Sequence, residues 1–499
     1  MPHTRREVLR TAALGSLAIA AGVDDVFGQA RTTPPNIVYI MADDLGYADV
    51  SCYGRPDVKT ANIDRIATKG VRFLQGYANS AVCSATRTAL ITGRYQYRLR
   101  VGLEEPLGGN SIGLPPEHPT LPGLLKAKGY GTTLIGKWHL GGLPNFGPLK
   151  SDYDHFYGFR GGGIDYFRHT PGAGPNEDFW DDDLPLHKAG YATTLFGDHA
   201  VNVVNGYAMT KQPFFLSLHF NAPHWPWEGP TDEAEAERIR VRPGRGGLGA
   251  YDGGSQKTYR EMILAMDAQI GRVLKTLDDN RLTSNTLVIF TSDNGGERFA
   301  DTWPFTGRKQ ELLEGGLRIP SIISWPAQLP QGRTSDQVSI TMDWAPTLLA
   351  AAGTSPDPAY PSDGINLLPI LTGGAPVQPR TLYWRYKANA QRAIRDGDMK
   401  FLKILENTFL FNVVEDPLER ANLKGRQPEV YERLVTKWLT WNQTMLPEVD
   451  ESATGNFTGD QLADHIGAKP TSRQADNPGP PPFGGAQAAP SGSPGAPSK

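Results

Sequence analysis

The sequence predicts an α/β fold, a doubly wound and mostly parallel sheet followed by a smaller antiparallel sheet and a packing helix. Three observations carry that expectation. Four short apolar runs stand uninterrupted by polar residues: Ile37–Met41, a run ending near Ile135, Phe214–Phe220 and Leu287–Thr291. Runs of this kind suit strands covered on both faces, as parallel strands are. Segments with helical spacing lie between them. After about residue 375 the texture changes to alternating strands and turns.

Taken in order, the chain opens with Thr4-Arg5-Arg6-Glu7-Val8-Leu9-Arg10, which resembles a twin-arginine export signal. An apolar stretch from about Ala12 to Val23 follows, too short and too rich in Ala and Gly to span a bilayer well. A small-residue cleavage site near Gln29-Ala30 completes an expected signal peptide over 1–30. It implies the Tat export machinery as a partner and a periplasmic or secreted location. The catalytic α/β domain is expected over 34–375. Within it, "TANIDRIATKG" places Ile63, Ile66 and Ala67 on one helical face, with Gly70 as the stop. "TYREMILAMDAQIGRVLKTLDDN" reads as a longer amphipathic helix. A C-terminal subdomain over 376–450 begins with a meander, its turns set at Asp396-Gly397 and Glu415-Asp416-Pro417. "QPEVYERLVTKWLTWNQTM" closes it as a helix. The tail over 470–499 is Pro, Gly, Ala and Ser, a composition that buries too little apolar surface to fold.

Composition narrows the function. The 50 basic and 53 acidic residues nearly cancel, for a formal net charge of −3, so no basic surface for nucleic acid is expected. Two cysteines, Cys52 and Cys83, exclude a disulfide framework. With 56 Gly and 41 Pro among 499 residues, long loops are expected.

Each of the four strands runs into residues able to do chemistry. The first ends at Asp43-Asp44, the second runs into Lys137 and His139, the third carries His219 and leads to His224, and the fourth ends at Asp293-Asn294. Singly, each has an ordinary structural reading as a cap, turn or hydrogen-bonded core residue. Jointly, at the carboxyl ends of strands in one open sheet, they predict a single crevice. Asp43, Asp44, Asp293 and Asn294 offer only oxygen, which selects Ca2+ or Mg2+ over softer metals. Lys137, His139, His224 and Lys309 add positive or proton-carrying groups. A hard cation ringed by basic side chains suits an anion with several oxygens, such as sulfate or phosphate.

The segment "CSATRTALITGRY", beginning at Cys83, resembles the sulfatase signature, a cysteine with Pro or Ala two residues on and Arg four residues on. "NIVYIMADDLGYADVSCYG", "GKWHLG", "APHWP", "TSDNGG", "EGGLRIP" and "LFNVVEDPLERANL" resemble the family's other blocks in the same order. The resemblance covers roughly residues 36 to 425. Ala85 and Thr86 stand where the family more often has Pro and Ser. It implies an alkaline phosphatase-like fold and a sulfuric ester hydrolase of the formylglycine-dependent, arylsulfatase-like type. It also implies oxidation of Cys83 to formylglycine by a sulfatase-maturing enzyme. The chemistry favours such a group: a serine that attacked a sulfate ester would remain sulfated, whereas an aldehyde hydrate has a second hydroxyl with which to expel sulfate. The resemblance further implies that Asp43, Asp44, Asp293 and Asn294 hold Ca2+, with residue 83 or a substrate oxygen completing the shell. Arg87 and Lys137 would orient the hydrate, and His139 would take the proton that triggers sulfate release. His224 and Lys309 would bind sulfate oxygens and assist the leaving alcohol. His224, in its "APHWP" context, is preferred to His219, and Lys309 to Arg308.

Two other readings stay open: a phosphate or phosphonate ester hydrolase of the same superfamily, and a non-catalytic binder of sulfated glycans. The substrate is expected to be a sulfated small molecule or glycan. Tyr166, Phe167, Trp180, Trp225 and Trp227 either stack on an aryl or sugar ring or pack the loops.

Overall fold

Alternation along the central strands shows how the chain is layered. In β1 (Asn36–Ala42), Val38, Ile40 and Ala42 join one core, and Ile37, Tyr39 and Met41 the other. The first core holds the helices Ala61–Thr68, Ala192–Thr210 and Gln256–Asp279. The second holds the end of the helix Cys83–Thr92 and the helices Leu121–Lys126 and Trp344–Ala351. A computed structural model describes residues 33–103, 111–171, 176–240 and 253–448, and from Pro35 onward these form one compact unit. The expected export signal and the Pro/Gly/Ala/Ser tail lie outside the described residues.

The strands after β1 are β2 (Gly70–Phe73), β3 (Gly76–Tyr77), β4 (Gly131–Lys137), β5 (His155–Phe159), β6 (Trp180–Asp181) and β7 (Leu184–Pro185). They continue with β8 (Phe214–His219), β9 (Thr286–Ser292), β10 (Ser321–Ser324), β11 (Arg333–Ser335) and β12 (Ser339–Ile340). The large sheet runs β11-β2-β10-β9-β1-β8-β4-β5-β6-β7. From β9 to β5 it is parallel, and β10 enters antiparallel. The four strands expected from the apolar runs, β9, β1, β8 and β4, are consecutive neighbours, so their carboxyl ends share one edge. A small sheet pairs β12 with β3.

The Gln256–Asp279 helix is capped by Ser255, whose side chain accepts from the Thr258 amide. It buries Tyr259, Met262, Ile263, Met266, Ile270, Val273 and Leu277, the spacing of one helical face. The meander is the four-stranded antiparallel sheet β13 (Thr381–Tyr386), β14 (Gln391–Asp396), β15 (Met399–Ile404) and β16 (Asn407–Asn412). Leu434 and Trp438 of the closing helix, Pro428–Asn442, pack on its Ile394, Phe401 and Leu410.

Three expectations need correcting. β4 runs on past Ile135, so Lys137 is a strand residue. Gly70 opens β2 as well as following a helix, because its missing side chain admits the Ile323 carbonyl. Glu415-Asp416-Pro417 lies beyond β16 and closes no hairpin.

Candidate active site

The site grows from two consecutive strand ends. The Asp293 amide donates to the Ala42 carbonyl, and the Asp44 amide donates to Asp293 Oδ1 at 3.2 Å. Asp44 sits in the left-handed region (φ 61), as does His139 (φ 60). Non-glycine residues rarely hold that conformation, and two of them flank this edge. Gly136 (φ 101) lies so close to β8 that an added Cβ would stand 1.8 Å from the His219 carbonyl oxygen. Only glycine lets β4 bring Lys137 in beside β8.

Cys83 is the first residue of its helix, with its thiol at the end where the helix dipole is positive and backbone amides are unpaired. Its Sγ lies 3.4 Å from Asp43 Oδ1 and 3.9 Å from Asp44 Oδ1. Both cysteines are free thiols. One helical turn on, Arg87 donates through Nε and Nη2 to Asp293 Oδ2 (3.2 and 2.8 Å) and through Nη1 to the Lys137 carbonyl. Thr86, one of the two departures from the signature, bonds through its hydroxyl to the Ser80 amide and carbonyl, which fixes the turn before the helix.

Lys137 Nζ is 2.7 Å from Asp43 Oδ2, and Lys309 Nζ is 2.6 Å from Asp44 Oδ2. The Lys309 amide donates to the Gly296 carbonyl, tying this lysine to the loop that follows Asn294. Asn294 donates through Nδ2 to Asp44 Oδ1 at 2.7 Å, while its buried Oδ1 has no partner. His224 Nδ1 faces the Trp225 carbonyl, which sets its proton there, and Nε2 lies 3.6 Å from Asp44 Oδ2. His139 is buried, with neither ring nitrogen hydrogen-bonded, and a Cβ on Gly162 would meet its Nε2 at 2.9 Å.

Burial and the crowding of charges set the proton affinities. Burial, reinforced by the Asp293 carboxylate, pushes Asp43 up to about 8. Burial opposes ionisation of Asp293 too, but the Arg87 guanidinium outweighs it and holds Asp293 well below the usual carboxylate range. Burial and the Asp293 and Asp43 carboxylates push the Cys83 thiol up. Burial would lower Lys309, yet the Asp44 carboxylate holds it above its ordinary value. Burial and then nearby cations, Lys137 and Arg87 for His139 and Lys309 for His224, push both imidazoles down.

Every sequence-predicted site residue therefore lies in one buried cluster. Asp43, Asp44, Cys83 and His224 present metal-capable atoms within 4.8 Å of one another, which adds His224 to the expected oxygen set. His219 is buried in β8 with Nδ1 3.3 Å from Arg87 Nη1, a packing partner of that arginine. Glu297 was missed. Burial pushes it up to about 7, and Lys309 and Asp44 act on it in opposite directions. Its place three residues after Asn294 was the available signal. Glu228 was missed, and of the two readings open for Tyr166 its burial favours packing. Glu228 Oε2 accepts from the Tyr166 amide at 2.8 Å, and the Tyr166 hydroxyl lies 2.8 Å from both the Asn221 and His224 carbonyls. Tyr166, Trp225 and Trp227 are buried, so they pack the loops and offer no stacking face. Trp180 is covered by Arg160, 4.0 Å from its ring.

A doubly wound, mostly parallel sheet whose carboxyl edge gathers buried carboxylates and cations around Cys83 is an alkaline phosphatase-like architecture. The Sulfatase family model matches residues 35–354, and the model for the N-sulphoglucosamine sulphohydrolase C-terminal region matches residues 307–442. The chain belongs to the sulfatase family, hydrolases of sulfate esters. It is 32% identical to N-acetylgalactosamine-6-sulfatase of Canis lupus familiaris over 392 residues, 74% of this chain and 71% of that one. It is 30% identical to human arylsulfatase A over 475 residues, 84% of this chain and 88% of that one. Among solved structures, Ps i-CgsB in complex with k-i-k-neocarrahexaose superposes with a TM-score of 0.75 at 29% identity, covering 89% of this chain and 99% of that one.

Proposed function

We propose that the chain hydrolyses carbohydrate sulfate esters, with Cys83 matured to formylglycine and a calcium ion held at the strand ends. The observation that carries this reading is the position of Cys83 Sγ, 3.4 Å from Asp43 and 3.9 Å from Asp44, inside a ring of cationic side chains. The residues fit a hard cation. Asp43, Asp44, Asp293 and Asn294 supply only oxygen, and the unpartnered buried Asn294 Oδ1 is a donor atom in want of a ligand. Three carboxylates stand against Arg87, Lys137 and Lys309, so a divalent ion leaves the site positive and suited to an anionic ester. When bound, the ion supplies Lewis acidity toward sulfate and lowers the proton affinity of the group at position 83. Formylglycine supplies a hydrate with one hydroxyl for attack and one for release.

The chain's own residues do the rest. Arg87, clamped on Asp293, and Lys137, paired with Asp43, orient the group at residue 83. Lys309 binds sulfate oxygens as a point charge. His224, with Nδ1 held on the Trp225 carbonyl, turns Nε2 to the site, where it binds a sulfate oxygen or serves the departing oxygen only once it carries a proton of its own. His139, buried and neutral, has both ring nitrogens available to take the hydroxyl proton during release. The saccharide preference is supported by the N-acetylgalactosamine-6-sulfatase relative and by the neocarrahexaose complex of the structural neighbour. The twin-arginine motif supports export to the periplasm or beyond, with a sulfatase-maturing enzyme acting on Cys83. No helix among the described residues is long and apolar enough to cross a membrane.

The test is turnover on matched aryl sulfate and aryl phosphate, then on a panel of sulfated sugars. Preferential sulfate release that disappears in Cys83→Ala supports the reading. A phosphate preference contradicts it.

A further inference from the structure

At the amino end of β5, far along the strand from the catalytic edge, His155 and His199 point their Nε2 atoms at each other across 2.7 Å. His199 comes from the Ala192–Thr210 helix, so the pair joins helix to sheet. Asp182 fixes the first ring. Its Oδ1 lies 2.8 Å from His155 Nδ1 and also accepts the Phe156 amide at 2.9 Å. Asp182 itself holds a left-handed conformation (φ 54), with its amide on the Phe156 carbonyl. Tyr157 fixes the second ring, stacked on His199 at 4.0 Å and 2°.

The carboxylate accepts a hydrogen bond from His155 Nδ1, and in that tautomer the Nε2 lone pair faces the other ring. Burial and then His155 push His199 down to about 4, which favours its neutral form. Two imidazoles with facing nitrogens are donors for a borderline cation once their rings turn toward it. The ring centroids are 4.9 Å apart, so the two nitrogens now meet nearly head-on; a zinc–nitrogen bond of about 2.0–2.1 Å at a tetrahedral angle needs nitrogens about 3.3 Å apart and each ring swung off the line that joins them. The proton now bridging the nitrogens moves to His199 Nδ1, which frees both Nε2 atoms. His155 is 29% exposed, and the carboxylates of Asp181 and Asp182 beside it are 50% and 44% exposed, so the pair is open to water and sits in a negative field.

We propose that His155 and His199 form a second metal site, for a zinc-type cation completed by water, with Asp182 as the orienting group. Bound metal ties the Ala192–Thr210 helix to β5 and stabilises the fold by mass action. The nitrogen donors distinguish it from the oxygen-rich catalytic edge, which prefers calcium.

The test uses tag-free full-length protein saturated with calcium and titrated with zinc by calorimetry and thermal melting. The reference is His155→Gln/His199→Gln, and the single substitutions serve if the double one does not fold. Turnover on an aryl sulfate reports that each variant is folded. The expected result is one more zinc bound by the unaltered chain than by the reference, with a zinc-dependent rise in melting temperature that the reference lacks. Asp182→Asn should weaken binding roughly tenfold. Equal zinc stoichiometry and equal melting shifts in the unaltered chain and the reference overturn the proposal.

Discussion

Two of the buried charge clusters among the described residues are finished differently. In the one formed by Glu314, Lys400 and Glu419, every carboxylate oxygen has a donor or cation within 2.9 Å, Glu419 Oε1 through its ion pair with Lys400 and no hydrogen bond. Lys400 Nζ serves Glu314 Oε1 and Glu419 Oε1, Tyr77 and Arg318 serve Glu314 Oε2, and the Glu314 amide serves Glu419 Oε2. At the catalytic edge the ion pairs are as short, yet Asn294 Oδ1, both nitrogens of His139 and His219 Nε2 have no partner. Burying a polar atom without a partner costs about 1–3 kcal/mol, so a fold retains several together only where something else repays the cost. The satisfied cluster is a clamp, and the unsatisfied one is a receptor.

That contrast can be broken in order of expected effect. Cys83→Ala should cut sulfate-ester turnover by roughly 10^4-fold or more while leaving the melting temperature nearly unchanged, checked by kinetics and calorimetry on the same sample. Lys400→Met should do the opposite. Stranding Glu314 and Glu419 costs about 3–5 kcal/mol in denaturant unfolding, while kcat of the folded fraction stays near the starting value. Tyr166→Phe removes the hydroxyl shared by the Asn221 and His224 carbonyls. Two buried carbonyls left without that donor should cost about 1–3 kcal/mol of stability, with a severalfold fall in kcat/KM as the His224 loop loses its tie. An unchanged kcat/KM would make Tyr166 a packing residue only.

The smallest effect is on pH. Asp43, raised to about 8 by burial and by Asp293, keeps a proton in the cation-free fold that the unfolded chain releases near pH 4. Its contribution to stability is therefore present in acid and lost as pH rises through 8. Calcium bound as proposed would take the place of that proton, so the melting-temperature gain from calcium should grow between pH 5 and 8. A gain that shrinks over that range contradicts the assignment of Asp43 to the cation.

The sequence made the receptor legible and the clamp invisible, for a physical reason. Asp43-Asp44, Lys137, His139 and Asp293-Asn294 follow apolar runs directly, and a parallel sheet gathers strand ends at one edge whatever its loops do. The doubly wound core was legible for the same reason, since apolar runs without polar interruption leave no face for water. By contrast, Glu314, Lys400 and Glu419 meet across separate elements with no shared spacing. Tyr166 likewise reaches His224 from a loop 58 residues away in sequence. Nothing in a linear pattern records which loops fold onto which, and the loop aromatics, readable as a stacking surface, turned out to be loop packing. Thr86 shows a milder version, because a departure from the signature keeps the hydroxyl that the Ser80 turn uses.

The most direct measurement is the mass of the peptide that carries residue 83, taken from protein whose sulfate-ester turnover has been measured in the same preparation. Oxidation of the thiol to the aldehyde should leave that peptide lighter by close to the mass of one water, in a fraction that tracks activity from preparation to preparation. Full activity from protein in which Cys83 is wholly an unmodified thiol would contradict the account.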